Sequence, residues 1–218
     1  MKPLKIALPK GRLFDPVVEM LREIGVVKGD LSDDSRKLVL NCEDQEYCFI
    51  LAKAVDVPTY VEYGAADIGI SGKDVLLEAQ KNVCELLDLG LGSCRLVVAV
   101  PEELGVSSLE ELPTLLRVAT SYPRVAEEFL NQQGIQVEVI ELNGSIELAP
   151  TVGLAEMIVD ITSTGTTLRK NNLVEIAEIA KSSARLIVNQ VSYKTKFERI
   201  QKISNGLKRS LNADVENN

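Results

Sequence analysis

One short segment, Gly64-Ala65-Ala66-Asp67-Ile68-Gly69-Ile70, carries most of the information about the architecture of this chain. It places glycine, alanine and an acid directly before a buried apolar strand. The segment Gly153-Leu154-Ala155-Glu156-Met157-Ile158-Val159 repeats the same order of residue types. After each strand come a small polar loop and a helical segment, which is the order of an α/β protein. The repeat predicts two similar lobes, although any two helix-turn-strand units of an α/β protein share part of this pattern.

Strand-like and helix-like segments alternate through most of the sequence, which predicts an α/β fold with substantially parallel sheets. The residues of segment 64–70 also resemble the second type of periplasmic binding-protein lobe. This resemblance implies a two-lobed, type II periplasmic-binding-protein-like fold in which the chain crosses between the lobes twice. Ligands of open α/β sheets bind at the carboxyl ends of strands, so an active-site cleft is expected between the lobes. The predicted boundaries are residues 1–92 plus 182–218 for a discontinuous lobe I and residues 93–181 for lobe II.

Composition limits the possible functions. The formal net charge of −8 over 218 residues argues against nucleic acid as the main partner, because such binding needs Lys and Arg to neutralise phosphates. The absence of His excludes a Ser-His-Asp triad and His-based zinc sites, and no metal ligands are assigned. No apolar run is long enough to span a bilayer, so no membrane partner is expected. Without a recognisable signal peptide, the chain is expected to be cytoplasmic, with Cys42, Cys48, Cys84 and Cys94 as reduced thiols.

The segment from Asp160 to Leu168 predicts an anion-binding site. It follows the buried strand Met157–Val159 and combines an acid, several hydroxyls and Gly165 ahead of a helical segment. Unpaired N–H groups of a first helical turn point at a bound anion, and nearby hydroxyls add donors. The alternative is that the same Ser and Thr residues are ordinary helix N-caps.

Further candidates are charged residues near the ends of predicted strands. Arginine suits polyphosphate because its guanidinium can hold two oxygens, and lysine adds a point charge. A solvated surface charge is the alternative for each one, and Arg36 could instead pair with Asp33 or Asp34. Glu141 follows a strand and could also be plain surface. The basic candidates are Lys10, Arg12, Arg36, Lys53 and Lys73.

Six blocks of sequence together resemble the ATP phosphoribosyltransferase family, and the resemblance covers nearly the whole chain. The blocks are Pro9-Lys10-Gly11-Arg12-Leu13, Asp34-Ser35-Arg36-Lys37-Leu38, Ile50-Leu51-Ala52-Lys53, Asp67 to Asp74, Leu142 to Pro150, and Asp160 to Leu168. The resemblance implies a glycosyltransferase that moves the phosphoribosyl group of phosphoribosyl pyrophosphate to N1 of the adenine of ATP. The products are phosphoribosyl-ATP and pyrophosphate, in the first step of histidine biosynthesis, with Mg²⁺ present alongside the substrates.

The resemblance also implies roles for individual residues. Asp160 would hold the ribose hydroxyls, and Arg12 and Arg36 would act as the catalytic cations on the pyrophosphate and the ATP phosphates. The 5-phosphate would be bound by Ser163, Thr164, Gly165, Thr166 and Thr167. The first-lobe wall of the cleft would be completed by Lys10, Lys53, Ser71 and Gly72. Gly11 and Glu141 are substrate-binding candidates from their positions after predicted strands, not from the resemblance.

Chain length resembles that of the short members of the family. These imply homodimers of catalytic subunits that join a histidyl-tRNA-synthetase-like regulatory subunit in a hetero-octamer. The competing hypothesis from another functional class is a non-catalytic, cytoplasmic solute-sensing protein of the periplasmic-binding type.

Overall fold

The computed structural model describes residues 2–40, 46–113 and 116–216, with side chains as far as residue 213. The chain divides into two compact units, the first made of residues 1–92 and 183–218 and the second of residues 93–182. The strands are β1 (Leu4–Pro9), β2 (Val39–Leu40), β3 (Tyr47–Ala52), β4 (Ile68–Gly72), β5 (Cys84–Asp88), β6 (Cys94–Pro101), β7 (Leu116–Thr120), β8 (Val137–Glu141), β9 (Met157–Thr162), β10 (Leu173–Ser182) and β11 (Ala184–Val188). The α-helices are α1 (Phe14–Glu23), α2 (Val57–Glu62), α3 (Lys73–Ala79), α4 (Pro123–Gln132), α5 (Leu148–Thr151), α6 (Thr166–Lys170), α7 (Gln190–Thr195) and α8 (Phe197–Glu216). Within those described ranges, no helix is both long and apolar enough to cross a membrane.

The first unit is built around a six-stranded sheet in the order β2-β3-β1-β4-β11-β5. Alternate residues of β1 point to opposite faces of this sheet. Leu4, Ile6 and Leu8 belong to the main core, together with the apolar faces of α1 and α8. Ala7 lies in a second, smaller core that includes Val57 of α2. The sheet is therefore covered by helices on both faces.

The second unit has a five-stranded sheet in the order β10-β6-β9-β7-β8. Its long central strands read as near-continuous apolar runs, as buried strands do. Residues 96–100 of β6 and 157–159 of β9 are all buried. Residues of β6, β7 and β9 pack with Ile146, Leu168 and Leu173 in one cluster. This packing fixes the segment that follows β9.

The internal repeat of the sequence is present in the structure. In the first sheet, the order β3-β1-β4-β11-β5 has two parallel pairings followed by two antiparallel pairings. The second sheet, read as β8-β7-β9-β6-β10, has the same succession of parallel and antiparallel pairings. The acid of each repeat has the same task, because Lys5 N donates to Asp67 Oδ2 at 2.9 Å and Arg117 N donates to Glu156 Oε2 at 2.8 Å. In both copies the backbone N–H of the acid also donates to the carbonyl of the same residue, which is Lys5 for Asp67 and Arg117 for Glu156. The repeated acids therefore align the entry of a central strand with the strand beside it.

Several details differ from the sequence-based expectations. The sheets are mixed rather than substantially parallel, since β11 and β6 run antiparallel to β4 and β9. Strand β4 extends to Gly72, because β11 pairs with it as far as Ala184↔Gly72. Cys84 and Cys94 are reduced thiols, as expected, whereas Cys48 is disulfide-bonded, which corrects the expectation for that residue. Cys42 lies outside the described residues.

Candidate active site

The polar loop after β9 lies at the end of the central strand of the second sheet. Strand β9 continues to Thr162, so Asp160 is a strand residue paired with Val97 rather than part of the loop. The turn comprises residues 163–165, and Gly165 has a φ of +71°, in the left-handed region that favours glycine. Its N–H donates to Thr162 Oγ1 at 2.9 Å. The turn is thus closed back onto the strand that it leaves.

Four hydroxyl-bearing residues of this loop are exposed to solvent. Ser163, Thr164, Thr166 and Thr167 are exposed, and Thr164 Oγ1 lies 2.9 Å from Thr166 Oγ1. The N-cap position of α6 is Gly165, with no side-chain capping bond, so the hydroxyls are not the N-cap of this helix. N–H groups of a first helical turn have no carbonyl partner within their own helix. The loop therefore combines the backbone and side-chain donors that an anion needs.

Asp160 is half-buried beside this loop. Its Oδ1 accepts a hydrogen bond from the N–H of Ile161 at 2.8 Å. Burial raises the pKa of Asp160 to about 6; the nearby Glu147 also raises it, and the Ile161 hydrogen bond opposes both. A carboxyl in this state is poorly solvated as an anion and gains from hydroxyl donors. Glu141, the other acidic candidate, is the exposed last residue of β8.

In the first unit, Asp33 organises the loop after β1. Gly11 has a φ of +88°, and its N–H donates to Asp33 Oδ2 at 2.9 Å. Lys10 Nζ lies 4.0 Å from Asp33 Oδ1. Asp33 therefore ties the loop of Lys10, Gly11 and Arg12 to the segment that carries Arg36. Among the described residues Asp33 pairs with this loop and not with Arg36, so an Arg36–Asp33 ion pair, one of the alternatives for Arg36, is not formed.

The other candidates of the first unit differ in exposure. Arg12, Arg36 and Lys53 have exposed side chains, as ligand-binding cations require. Ser71 and Gly72 are buried in β4, where they pair with Arg185 and Ala184. A Cβ at Gly72 would collide with Asp74 Oδ1. Lys73 forms an ion pair with Glu85.

Comparison with known proteins identifies the family. A sequence model of the ATP phosphoribosyltransferase family matches residues 53–209. An ATP phosphoribosyltransferase of Halothermothrix orenii is 55% identical over 207 residues, which cover 94% of this chain and 93% of that protein. This chain belongs to the ATP phosphoribosyltransferase family. The predicted function is thereby confirmed: the protein is a pentosyltransferase that acts in the first step of histidine biosynthesis.

Solved structures agree with this assignment. The ATP phosphoribosyl transferase (HisG:HisZ) complex from Thermotoga maritima matches with a TM-score of 0.81 and 35% identity, over 94% of this chain and 99% of that one. A putative periplasmic sulfonate-binding protein from Methylobacillus flagellatus matches with a TM-score of 0.63, over 97% of this chain and 68% of that one. At 15% identity, the second match concerns the fold alone. The predicted α/β fold of the type II periplasmic-binding-protein kind is confirmed.

Sequence reasoning missed the residues of this phosphoribosyltransferase that support the loops. The sequence suggests Asp33 only as a partner of Arg36, although Asp33 accepts a hydrogen bond from the N–H of Gly11, 22 residues away. Arg169 is not among the predicted site residues, yet its Nη2 donates to the carbonyl of Thr164 at 2.9 Å. A basic residue four positions after the loop glycine was the only local signal for Arg169, because one helical turn brings such a side chain back over the loop.

Proposed function

We propose that the loop after β9 binds the 5-phosphate of phosphoribosyl pyrophosphate, with Asp160 accepting hydrogen bonds from the ribose hydroxyls. The supporting observation is the arrangement of four exposed hydroxyl-bearing residues, Ser163, Thr164, Thr166 and Thr167, around a left-handed glycine at the start of α6. Backbone N–H groups in such a turn favour a phosphate. Asp160 is a half-buried residue of β9, three positions before the loop, which supports its assignment to the sugar that carries this phosphate.

In the first unit, Arg12 and Arg36 are proposed to bind the pyrophosphate and the ATP phosphates. The contact of Asp33 with Gly11 supports this role, because it keeps the two arginine-bearing segments together. Lys10 and Lys53 would add positive charge, and Gly11 would allow close backbone approach. Ser71 and Gly72 would contribute through the backbone at the end of β4, and Glu141 would bind substrate from the second unit. The predicted lobe boundaries remain part of this proposal, with lobe II carrying the phosphoribosyl loop.

The proposed mechanism needs no histidine. The N1 lone pair of adenine is free at neutral pH, so the enzyme need not remove a proton to create the nucleophile. The barrier lies in the departure of pyrophosphate from C1 and in the positive charge that develops on the ribose. Arg12 and Arg36 would stabilise the leaving anion, and the substrate-binding residues would hold N1 in line with C1.

Mg²⁺ is proposed to accompany the substrates rather than to occupy a protein cage. The described residues contain no group of three or more Cys, Asp or Glu side chains that could hold a metal ion. Mg²⁺ typically binds through substrate phosphates and one or two carboxylates, and Asp160 is a carboxylate in the proposed sugar site. When bound, the ion would neutralise part of the pyrophosphate charge.

We further infer that the enzyme works in the cytoplasm, where ATP is available, and that it joins a regulatory subunit. The support for the partner is the Thermotoga maritima structure, which is a HisG:HisZ complex and matches over nearly the whole chain. A homodimer of catalytic subunits within a hetero-octamer with a histidyl-tRNA-synthetase-like subunit is the assembly proposed. Size-exclusion chromatography with light scattering, with and without that subunit, measures the masses directly.

Substitution of Arg36 tests the catalytic assignment. Arg36→Ala should lower turnover by about 2–4 kcal/mol in transition-state terms, as loss of a charge-stabilising donor does, with little effect on folding because the side chain is exposed. Lys37→Ala is the matched control, since it removes an exposed cation from the adjacent position. Pyrophosphate release from ATP and phosphoribosyl pyrophosphate is measured with saturating regulatory subunit. Near-normal turnover of Arg36→Ala under those conditions would remove Arg36 from the catalytic machinery.

A further inference from the structure

The peptide group between Thr164 and Gly165 is held at both ends. Its carbonyl oxygen accepts a hydrogen bond from Arg169 Nη2 at 2.9 Å, and its N–H donates to Thr162 Oγ1 at 2.9 Å. The C=O and N–H of a trans peptide point in opposite directions from one rigid plane. Two hydrogen bonds on opposite sides therefore fix the orientation of this peptide plane. With only one of them, the plane could still rotate.

The orientation of this plane matters for an anion. A peptide carbonyl carries partial negative charge, and a carbonyl turned toward a bound phosphate would repel it. Arg169 draws the Thr164 carbonyl to the side of its own guanidinium, and it also donates to Thr166 Oγ1 at 3.3 Å. The loop is then left with N–H groups and hydroxyls, rather than this carbonyl, for the ligand.

Contacts around Gly165 support the same arrangement. A Cβ at this position would lie 2.8 Å from Arg169 Nη1 and 3.1 Å from Glu175 Oε1. The guanidinium and the carboxylate thus pack against the glycine where a side chain would be. Arg95 holds Glu175 in place, with Nη2 donating to Oε1 at 3.1 Å, and Arg95 is paired in the sheet with Thr162. The sheet therefore supports the glycine from the side of β10.

We propose that Arg169 is a positioning residue, which sets the orientation of the Thr164–Gly165 peptide and so shapes the loop for the phosphate of the phosphoribosyl donor. The proposal rests on the proposed phosphate-binding role of the loop. Thr162 holds the other end of the same peptide and should have the same effect when it is removed. Neither side chain needs to touch the donor.

The decisive experiment compares Michaelis constants for the two substrates in the assembled enzyme. Arg169→Met and Thr162→Val should each raise KM for phosphoribosyl pyrophosphate about tenfold, the usual consequence of losing one well-placed hydrogen bond, with KM for ATP nearly unchanged. Thr162→Val alters no charge, so it separates orientation from electrostatic attraction. Lys170→Met is the control for loss of an exposed cation from the same helix, and Arg169→Lys should restore part of the affinity.

The double variant provides a second test. If both side chains hold one peptide, the combined rise in KM should be clearly smaller than the product of the single effects, since the second loss acts on a group already released. Thermal unfolding of each variant shows whether a loss is only structural. An unchanged KM in Arg169→Met, or an equal rise for both substrates, would overturn the proposal. In either case, Thr167→Ala tests separately whether the loop binds the phosphate. A raised KM for phosphoribosyl pyrophosphate in that variant supports phosphate binding by the loop, and an unchanged KM contradicts it.

Discussion

Replacement of Asp160 by Asn should make the unliganded protein more stable while impairing its substrate site. Burial and the nearby Glu147 raise the pKa of this carboxyl from 3.8 to about 6. Between these two values the unfolded chain is ionised and the folded protein holds its proton. Unfolding therefore becomes easier as the pH rises, because the folded protein must then accept a poorly solvated charge.

The size of the effect follows from the two pKa values. Linkage between 3.8 and about 6 gives a cost of about 3 kcal/mol at pH 7 and about half of that at pH 5. Asn is close to the shape of the neutral carboxyl and can still accept the Ile161 N–H bond. Asp160→Asn should thus exceed the wild type in unfolding free energy at pH 7, and its advantage should be about 1 kcal/mol smaller at pH 5. The contacts of the new amide are the same at both pH values, so they cancel when the unfolding free energies at pH 7 and pH 5 are compared.

Urea unfolding of the two proteins at pH 7 and pH 5, followed by circular dichroism, measures this difference. Glu127→Gln makes the corresponding change at an exposed position of α4 and should alter the unfolding free energy little at either pH. Calorimetry should show that the same Asp160→Asn protein binds phosphoribosyl pyrophosphate more weakly, because the ribose hydroxyls lose a carboxylate acceptor. A group that destabilises the free protein is then retained because the substrate site needs it. An advantage that is absent at pH 7, or equal at both pH values, would refute the reasoning about the buried charge.

Two further predictions concern stability. Burial favours the neutral form of Asp67, but the hydrogen bonds from Lys196 and its other donors outweigh burial and lower the pKa of this carboxyl below 3.8. The ionised carboxylate therefore stabilises the fold at pH values above 3.8. This stabilisation is lost as the pH falls through the lowered pKa of the folded protein. Lys196→Met should cost about 3 kcal/mol in urea unfolding at pH 7, whereas the exposed Lys194→Met should cost little, and equal effects would contradict the ion-pair argument. Gly69→Ala would place a Cβ 2.7 Å from Val61 Cγ2 and should lower the unfolding free energy by about 1–3 kcal/mol. Adding Val61→Ala should offset part of that strain, and purely additive losses would show that the crowding argument is wrong.

Elements defined by local pattern could be predicted from the sequence. The strand Ile68–Ile70 and the run Met157–Val159 are short apolar stretches bounded by polar or small residues, so their type is encoded in a few neighbouring positions. The family motifs are equally local. The proposed phosphoribosyl loop and the loop after β1 could therefore be located, although the roles of their residues stay predictions.

Features set by distant pairing could not be predicted in the same way. Strand β4 includes Ser71 and Gly72 only because residues 184 and 185 pair with them, more than 110 positions later. Strand β10 alternates weakly and owes its length to pairing with β6. Arg95 meets Glu175 across that same pairing, 80 residues apart. A single sequence without pairing information contains no local signal for such contacts.

The position of β11 has a consequence for the order of assembly. This strand lies between β4 and β5, yet it is synthesised after the entire second unit. Strand β5 pairs with β11 in the native sheet, so its native pairing must wait until residues 184–188 have left the ribosome. The second unit is one continuous stretch of chain and faces no such delay. The nascent first unit is therefore an unfinished sheet that the last part of the chain completes.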